Sequence, residues 1–322
     1  MLPKSLSGQA VSADALTRAD GAGGQPPPLG APAHRLRRRR FFIDAQHGLC
    51  NRLRAMASAA AIAARTDREL VVIWRTDHHC EARLGDLLDY SGPVIEDSGA
   101  DAIRAVAGLE YNYMEIEPGS CFQAPILPGE LAVSAGDVYV RSAYTLNSPH
   151  RTHEDEQRFL RALVPAEPVL DLVASVRHPN QVAVHIRMAT GPGFDHLSHE
   201  APENWPEERH RELAEWRARS HPRFFLARLD ALAAQGQAQT IFLAADHPQT
   251  YAEFSERFGE RLAWLPRRLF DRSAMQLQYA LADLLLLTGA ERFLGSSWSS
   301  FSDVAQRLAH PDRPFEQSGV DF

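Results

Sequence analysis

Several common chemistries are excluded by what this chain lacks. Its three cysteines, Cys50, Cys80 and Cys121, are far apart, odd in number and without a C-x-x-C pair. That leaves neither a disulfide framework nor a zinc ribbon, and points to a reducing, cytoplasmic compartment. No apolar run approaches the ~20 residues needed to cross a bilayer. The longest, LADLLLLTG, is interrupted by Asp283 and reads as a buried helix, so no membrane span is expected. Lysine is nearly missing: Lys4 is the single one among 34 basic residues. Positive charge is thus carried by arginine, the side chain suited to two-pronged contacts with phosphate. The net charge of -7 supplies no overall basic field, so nucleic acid is not an expected partner. No internal repeat appears at solenoid periods.

Residues 1–36 have no apolar centre of the secretory type and are rich in Gly, Pro and Ala. They read as a disordered leader. The basic run RLRRRR at its end serves as a solvated flank of the first strand, or alternatively as a contact with an anionic surface. With 322 residues the chain exceeds the length at which one core usually stops growing, so two domains are expected. Its 44% hydrophobic and 23% charged content is that of an ordinary globular chain.

From residue 41 the pattern becomes strand, tight loop, helix, strand. Residues 41–44 are apolar and extended, Gly48 marks a turn, and Asn51 is placed to cap a helix over 52–64. Residues 70–74 form a second apolar strand, which makes a β-α-β start and a parallel sheet. The middle of the chain carries short strands between turn signals, and Pro165 and Pro168 flank a change of domain. A second alternating set follows. Strands are expected at 182–186, 240–245, 262–265 and 292–294, and helices over 207–234, 248–258, 274–287 and 301–308. In 207–234, Trp216, Phe224, Phe225, Leu229 and Leu232 recur at helical spacing and read as core, with the charges between them as a solvated face. The fold class is α/β, with two halves and a cleft between them, one over 37–165 and one over 166–322. In such sheets ligands sit beyond the carboxyl ends of the strands.

Four strand exits carry unusual chemistry. DAQHGLCNR, residues 44–52, places Gly48 in a loop that opens a helix and offers backbone N–H groups to an anion, though such a loop also serves as a plain helix cap. It matches neither the dinucleotide fingerprint nor the P-loop spacing. HIRMATGPG puts His185 and Arg187 on one face of a strand exit. Such an arginine grips phosphate; one paired with a carboxylate beside a core histidine would look the same. Asp246 ends an apolar strand before a proline-started helix, where it is either a site residue or a helix cap. Finally, RFLGSSWSSFS runs a strand into four serines and a glycine within six positions, more than capping requires, before a helix opens near Ser300. Hydroxyls and helix N–H groups there make a second anion cradle without lysine or metal.

In this order GLCNRLRA, HIR, AAD and SSFS resemble blocks of the fucosyltransferase superfamily, the group of nodulation and core α1,6-fucosyltransferases and protein O-fucosyltransferases. The likeness lies in these short blocks, from about residue 41 to 310. It implies a GT-B-like fold of two Rossmann-like domains facing across a cleft, with 37–165 on the acceptor side and 166–322 binding the nucleotide sugar. It also implies GDP-fucose as donor substrate with no metal and no other cofactor. By the same resemblance Arg187 binds the β-phosphate and His185 contributes to the nucleotide site, with Asp246 in the AAD block beside them. Asp283, eight residues before Glu291, helps hold guanine. Ser299, Ser300, Phe301 and Ser302 supply donors to the phosphates, and Gly48 and Asn51 lie near the transferred sugar. Arg187 and Asn51 are the residues expected to act in catalysis. The chain departs from several relatives after H-x-R, where Met188, Ala189 and Thr190 replace a second basic residue and Thr-Asp.

The reaction implied is metal-independent, inverting transfer of fucose to a glycan or other hydroxyl acceptor. The nearest acidic cluster, EDE at 154–156, falls in a surface helix rather than a metal site. A different nucleotide sugar, or a nucleotide-binding protein without turnover, would use the same cleft. A metal-hydrolase alternative starts from His196 and His199 with Glu200 and His185, but it sits in a loop without a helical HExxH. Asp195, Glu200 and Glu203 are candidates for a base. His78 to Cys80 read as an ordinary turn after a strand, with a border of the acceptor cleft as the alternative.

Overall fold

A computed structural model describes residues 38–188, 206–268 and 270–322. The expected leader lies outside the described residues, and so do Ala189, Thr190, Asp195, His196, His199, Glu200 and Glu203.

The strands in chain order are β1 (Arg40–Ala45), β2 (Glu69–Ile73), β3 (Leu88–Asp89), β4 (Val94–Ile95), β5 (Leu109–Asn112), β6 (Val138–Ser142), β7 (Val164–Pro165), β8 (Val182–Ile186), β9 (Ile241–Ala245), β10 (Leu262–Ala263), β11 (Arg292–Gly295) and β12 (Phe315–Gln317). Among the described residues they form two parallel sheets, in the orders β4-β2-β1-β6-β5 and β10-β9-β8-β11-β12, and one short antiparallel pair, β3 with β7. Each large sheet winds outward from its first strand, β1 or β8, and then reverses. That reversal leaves a crevice at the carboxyl end between β1 and β6, and another between β8 and β11. Register makes the second crevice even, because His185 stands level with Ala244 of β9 and Gly295 of β11.

Central parallel strands are covered on both faces, which is why β8 reads VAVHI with every residue buried. The helix Leu49–Arg65 is buried on most sides, and its sequence allows this: Ala55, Ala57, Ala59, Ala61 and Ala63 let neighbouring layers approach closely. It shares one apolar cluster with the helix Ala274–Thr288 and with residues of both sheets, including Ile43, Val140, Ala183 and Phe293.

Some expected boundaries shift for identifiable reasons. The first helix begins at Leu49, three residues before the expected start at 52: Gly48 occupies the cap position, directly after His47, whose backbone is left-handed (φ 64°). Asn51 therefore lies inside the first turn. The expected long helix over 207–234 is two, Glu207–Arg219 and Pro222–Ala234. Pro222 pushes His221 into extended backbone and breaks the run. Trp216 is not core, since the helix Glu207–Arg219 buries none of its residues. Phe225, Leu229 and Leu232 are core as expected. The edge strand β12 was not foreseen, being three residues long with no periodic signal.

Candidate functional site

A cleft of about 1190 Å³ opens at the carboxyl ends of both sheets. Its walls come from the two crevices. His47, Gly48 and Asn51 follow β1 and Tyr144 follows β6; Arg187 follows β8, Asp246 follows β9, and Ser299, Ser300 and Phe301 follow β11. His185 and Asp283 also line it. Of the ten residues expected at a site, Ser302 alone is absent from the lining: it is 1% exposed and stands behind the wall.

Ser302 has a structural task there. Its Oγ is 2.8 Å from His185 Nδ1, while the His185 ring stacks on Phe301 at 4.8 Å. Close approach of the helix Ser300–Leu308 depends on Gly295, where a Cβ would come within 2.8 Å of the Phe315 ring and 3.1 Å of Ser302 Oγ. Burial pushes the His185 pKa down to about 3, so the ring is neutral at pH 7. It acts as a hydrogen-bonding group rather than as a cation.

Arg187 is pinned at both ends. Its backbone N–H donates to Ser296 Oγ (2.8 Å), and its Nη1 lies 2.5 Å from Asp246 Oδ2. Asp246 also accepts from Met188 N at 3.0 and 3.1 Å. It is not a helix cap; His247 occupies that position on the helix Pro248–Phe258. The paired arginine and the cleft arginine are thus one and the same.

The serine run divides its work. Ser296 Oγ donates to His185 O and Ser297 Oγ to Ser318 O, so these two hydroxyls hold the loop together. Ser299 caps the helix Ser300–Leu308, and Ser300 and Phe301 present its first turn, with its unpaired N–H ends, to the cleft. His47 and Trp298 (φ 50°), in the loops that feed the cleft, both hold left-handed backbone that a side chain resists.

Asp283 is 4% exposed and held by Arg267 at 2.7 Å, with Arg267 stacked over Tyr279. Burial pushes the Asp283 carboxyl up, against the pull of Arg267. This counter-ion was not foreseen. Glu291 precedes β11 rather than lying in it and is exposed.

Sequence reasoning missed Arg54, Arg217 and Arg272, which line the cleft, and read His79, which also lines it, chiefly as part of a turn. His79 packs 4.8 Å from the His47 ring, and burial followed by the two neighbouring histidines lowers its pKa to about 3. On the helix Glu207–Arg219, Arg209, Leu213 and Arg217 share the cleft-facing side at four-residue intervals. That spacing was legible, but it was hidden among charges read as a solvated face. Arg209 reaches Glu115 at 2.7 Å. In the helix His153–Ala162, Glu156 is buried and bound to Arg307 and Arg151, an ion-pair role.

Among the described residues the three cysteines are free, no helix is long and apolar enough to cross a membrane, and no group of three or more His, Cys, Asp or Glu is arranged to hold a metal ion.

No protein-family profile and no curated protein matches the chain. Solved structures do. Fucosyltransferase NodZ from Bradyrhizobium superposes with a TM-score of 0.54 at 17% identity, covering 84% of this chain and 94% of that one. POFUT1 in complex with GDP-fucose gives 0.51 at 15%, covering 90% and 100%. A variant of Arabidopsis thaliana FUT1 in complex with GDP gives 0.54 at 12%, covering 88% and 71%. The chain therefore has the GT-B-like α/β fold of these fucosyltransferases, and the resemblance carried by the short sequence blocks extends to the architecture.

Proposed function

We propose that this chain is a glycosyltransferase that moves fucose from GDP-fucose to a hydroxyl of a glycan or other acceptor, with inversion and without a metal. The observation that carries this reading is convergence: Arg187, the Ser299–Phe301 turn and the Gly48–Asn51 loop, from three strand exits and both sheets, face one cleft. The similar structures bound to GDP-fucose or GDP support the choice of donor.

Breaking the sugar–phosphate bond sends its electron pair to the β-phosphate and leaves an oxocarbenium-like sugar. Donors already aimed at the phosphate lower that barrier, typically by a few kcal/mol each. Arg187 serves the β-phosphate with Asp246 fixing its direction, and Ser299, Ser300 and Phe301 offer hydroxyl and N–H donors. His185, neutral and braced by Ser302, sits at the nucleotide. Asp283 addresses guanine, and Gly48 and Asn51 border the sugar, where the acceptor oxygen attacks the anomeric carbon from the face opposite the diphosphate and its proton passes to solvent. The phosphate side of the cleft offers guanidiniums, hydroxyls and N–H groups, a donor set that takes over the charge neutralisation a divalent cation would otherwise provide.

The test is product release from a panel of nucleotide sugars, with and without chelator, using the full chain. GDP release from GDP-fucose alone, unchanged by chelator, with an inverted anomer in the product, is expected. Release from a different nucleotide sugar, or reversible loss with chelator, overturns the donor or the metal-independence. Tight GDP binding without turnover across a broad acceptor panel overturns the enzyme.

A further inference from the structure

Two guanidiniums in the cleft belong to none of the motifs. Arg217 comes from the helix Glu207–Arg219, and Arg272 from the segment before the helix Ala274–Thr288. Among the described residues neither has an ion-pair partner. Nε and Nη1 of Arg217 and Nε of Arg272 are shut off from solvent without a hydrogen-bond acceptor. Both guanidiniums are pushed down, first by burial and then by the positive charge of Arg187. Since arginine stays protonated in proteins, this marks a standing repulsion rather than neutralisation.

The carboxylate that acts on both is Asp246, already engaged by Arg187 at 2.5 Å. Asp271 lies beside Arg272 as well, so three guanidiniums face two carboxylates and positive charge stays in excess on this wall. Buried, unpaired donors of this kind oppose folding. The unpaired donors of Arg217 and Arg272 suit an anionic partner with several acceptor oxygens, a description that a diphosphate diester meets.

We infer that Arg217 and Arg272 are diphosphate ligands, closing with Arg187 a clamp of three guanidiniums on the leaving group. This rests on the donor reading above and deepens it, for neither residue lies in a block that carries the resemblance. The helix that presents Arg217 is shallow: it is tied at its start by Arg209 to Glu115, and just beyond its end by Ser220 Oγ to Ser318 Oγ at 3.1 Å. A bound diphosphate adds a third tie between those two.

The experiment is calorimetric titration of the full chain with GDP, inorganic pyrophosphate and guanosine, for wild type, Arg187→Gln, Arg217→Gln, Arg272→Gln and the Lys variant at each of the last two positions. Each Gln variant is expected to weaken GDP and pyrophosphate by about tenfold to a hundredfold, with guanosine unchanged. The Lys variants should recover part of the loss. The ligand-free Arg217→Gln and Arg272→Gln proteins should melt no lower than wild type, since an unpaired charge has been removed. If only Arg187→Gln loses GDP, the clamp is wrong and the donor reading stands. Lower melting with parallel loss of guanosine and GDP assigns the two arginines a structural role and also overturns the clamp. A wild-type chain that binds neither GDP nor pyrophosphate defeats the donor reading itself, and the clamp with it.

Discussion

Arg187 and Asp246 meet across the ends of adjacent strands β8 and β9, Nη1 to Oδ2 at 2.5 Å, and the same carboxylate takes the backbone N–H of Met188. The pair both orients the guanidinium and partly cancels its charge. An Asp246→Asn variant separates these effects. Removing the negative charge leaves a more positive wall, so GDP should bind several-fold more tightly. Turnover should fall, because the guanidinium loses its fixed direction. The Met188 contact survives on the amide oxygen, so the melting temperature should shift by only a few degrees. Titration and steady-state kinetics on one preparation check this; equal falls in affinity and turnover would assign Asp246 to direct ligand binding.

Arg187→Ala removes the donor aimed at the developing charge. Transfer should drop by at least about a hundredfold, the scale for losing one preorganised donor. The ultraviolet circular dichroism and melting curve should stay close to wild type, because the side chain is at the cleft surface (22% exposed) rather than in the core. Wild-type turnover in this variant would dispose of the assignment.

Much of this site was legible because strand exits punctuate a sequence. Apolar runs such as VAVHI and IFLAA end sharply, and the polar residues just beyond them, Arg187 and Asp246, are thrown to one end of a parallel sheet by topology alone. Arg217 and Arg272 had no such marker. Arg217 lies on a charge-rich helix, where its four-residue spacing from Leu213 and Arg209 is submerged among other charges and the buried face is decided by tertiary contact. Arg272 lies in a connecting segment with no period. Asp246 illustrates the same limit from another side. Its position suggested a cap or a ligand, and only the neighbouring strand could decide that it holds Arg187. The strand β12 escaped because three residues cannot express a period.

Away from the cleft floor, Asp44 at the end of β1 is fully buried and accepts from Arg75 (2.8 Å), Arg141 (3.3 Å), Tyr139 Oη (2.6 Å) and Gln46 Nε2 (2.6 Å). It joins β1, the segment after β2, and β6 at the crevice of the first sheet. Asp44→Ala takes the shared acceptor from Tyr139, Gln46 and two guanidiniums, of which Arg75 keeps Asp101 and Arg141 keeps Glu117. It should cost about 2–3 kcal/mol of stability in a urea titration. A loss under about 1 kcal/mol would show that water replaces the carboxylate freely.

The buried His185 fixes a pH dependence. Its native pKa is near 3, set chiefly by burial, against about 6.5 in the unfolded chain. Below pH 6.5 the unfolded chain therefore binds a proton that the native ring refuses. Its contribution to stability is complete above pH 6.5 and is lost progressively as the pH falls toward 3. His79, lowered for the same first reason, adds to the same window. Melting temperature should decline as the pH is lowered from 7 to 4. The decline should be shallower in His185→Gln, whatever that variant's absolute stability, because Gln does not titrate while the carboxylates common to both proteins do. Parallel melting curves for the two proteins across that range would mean that the histidine accepts a proton in place, and that the cleft admits water to its ring.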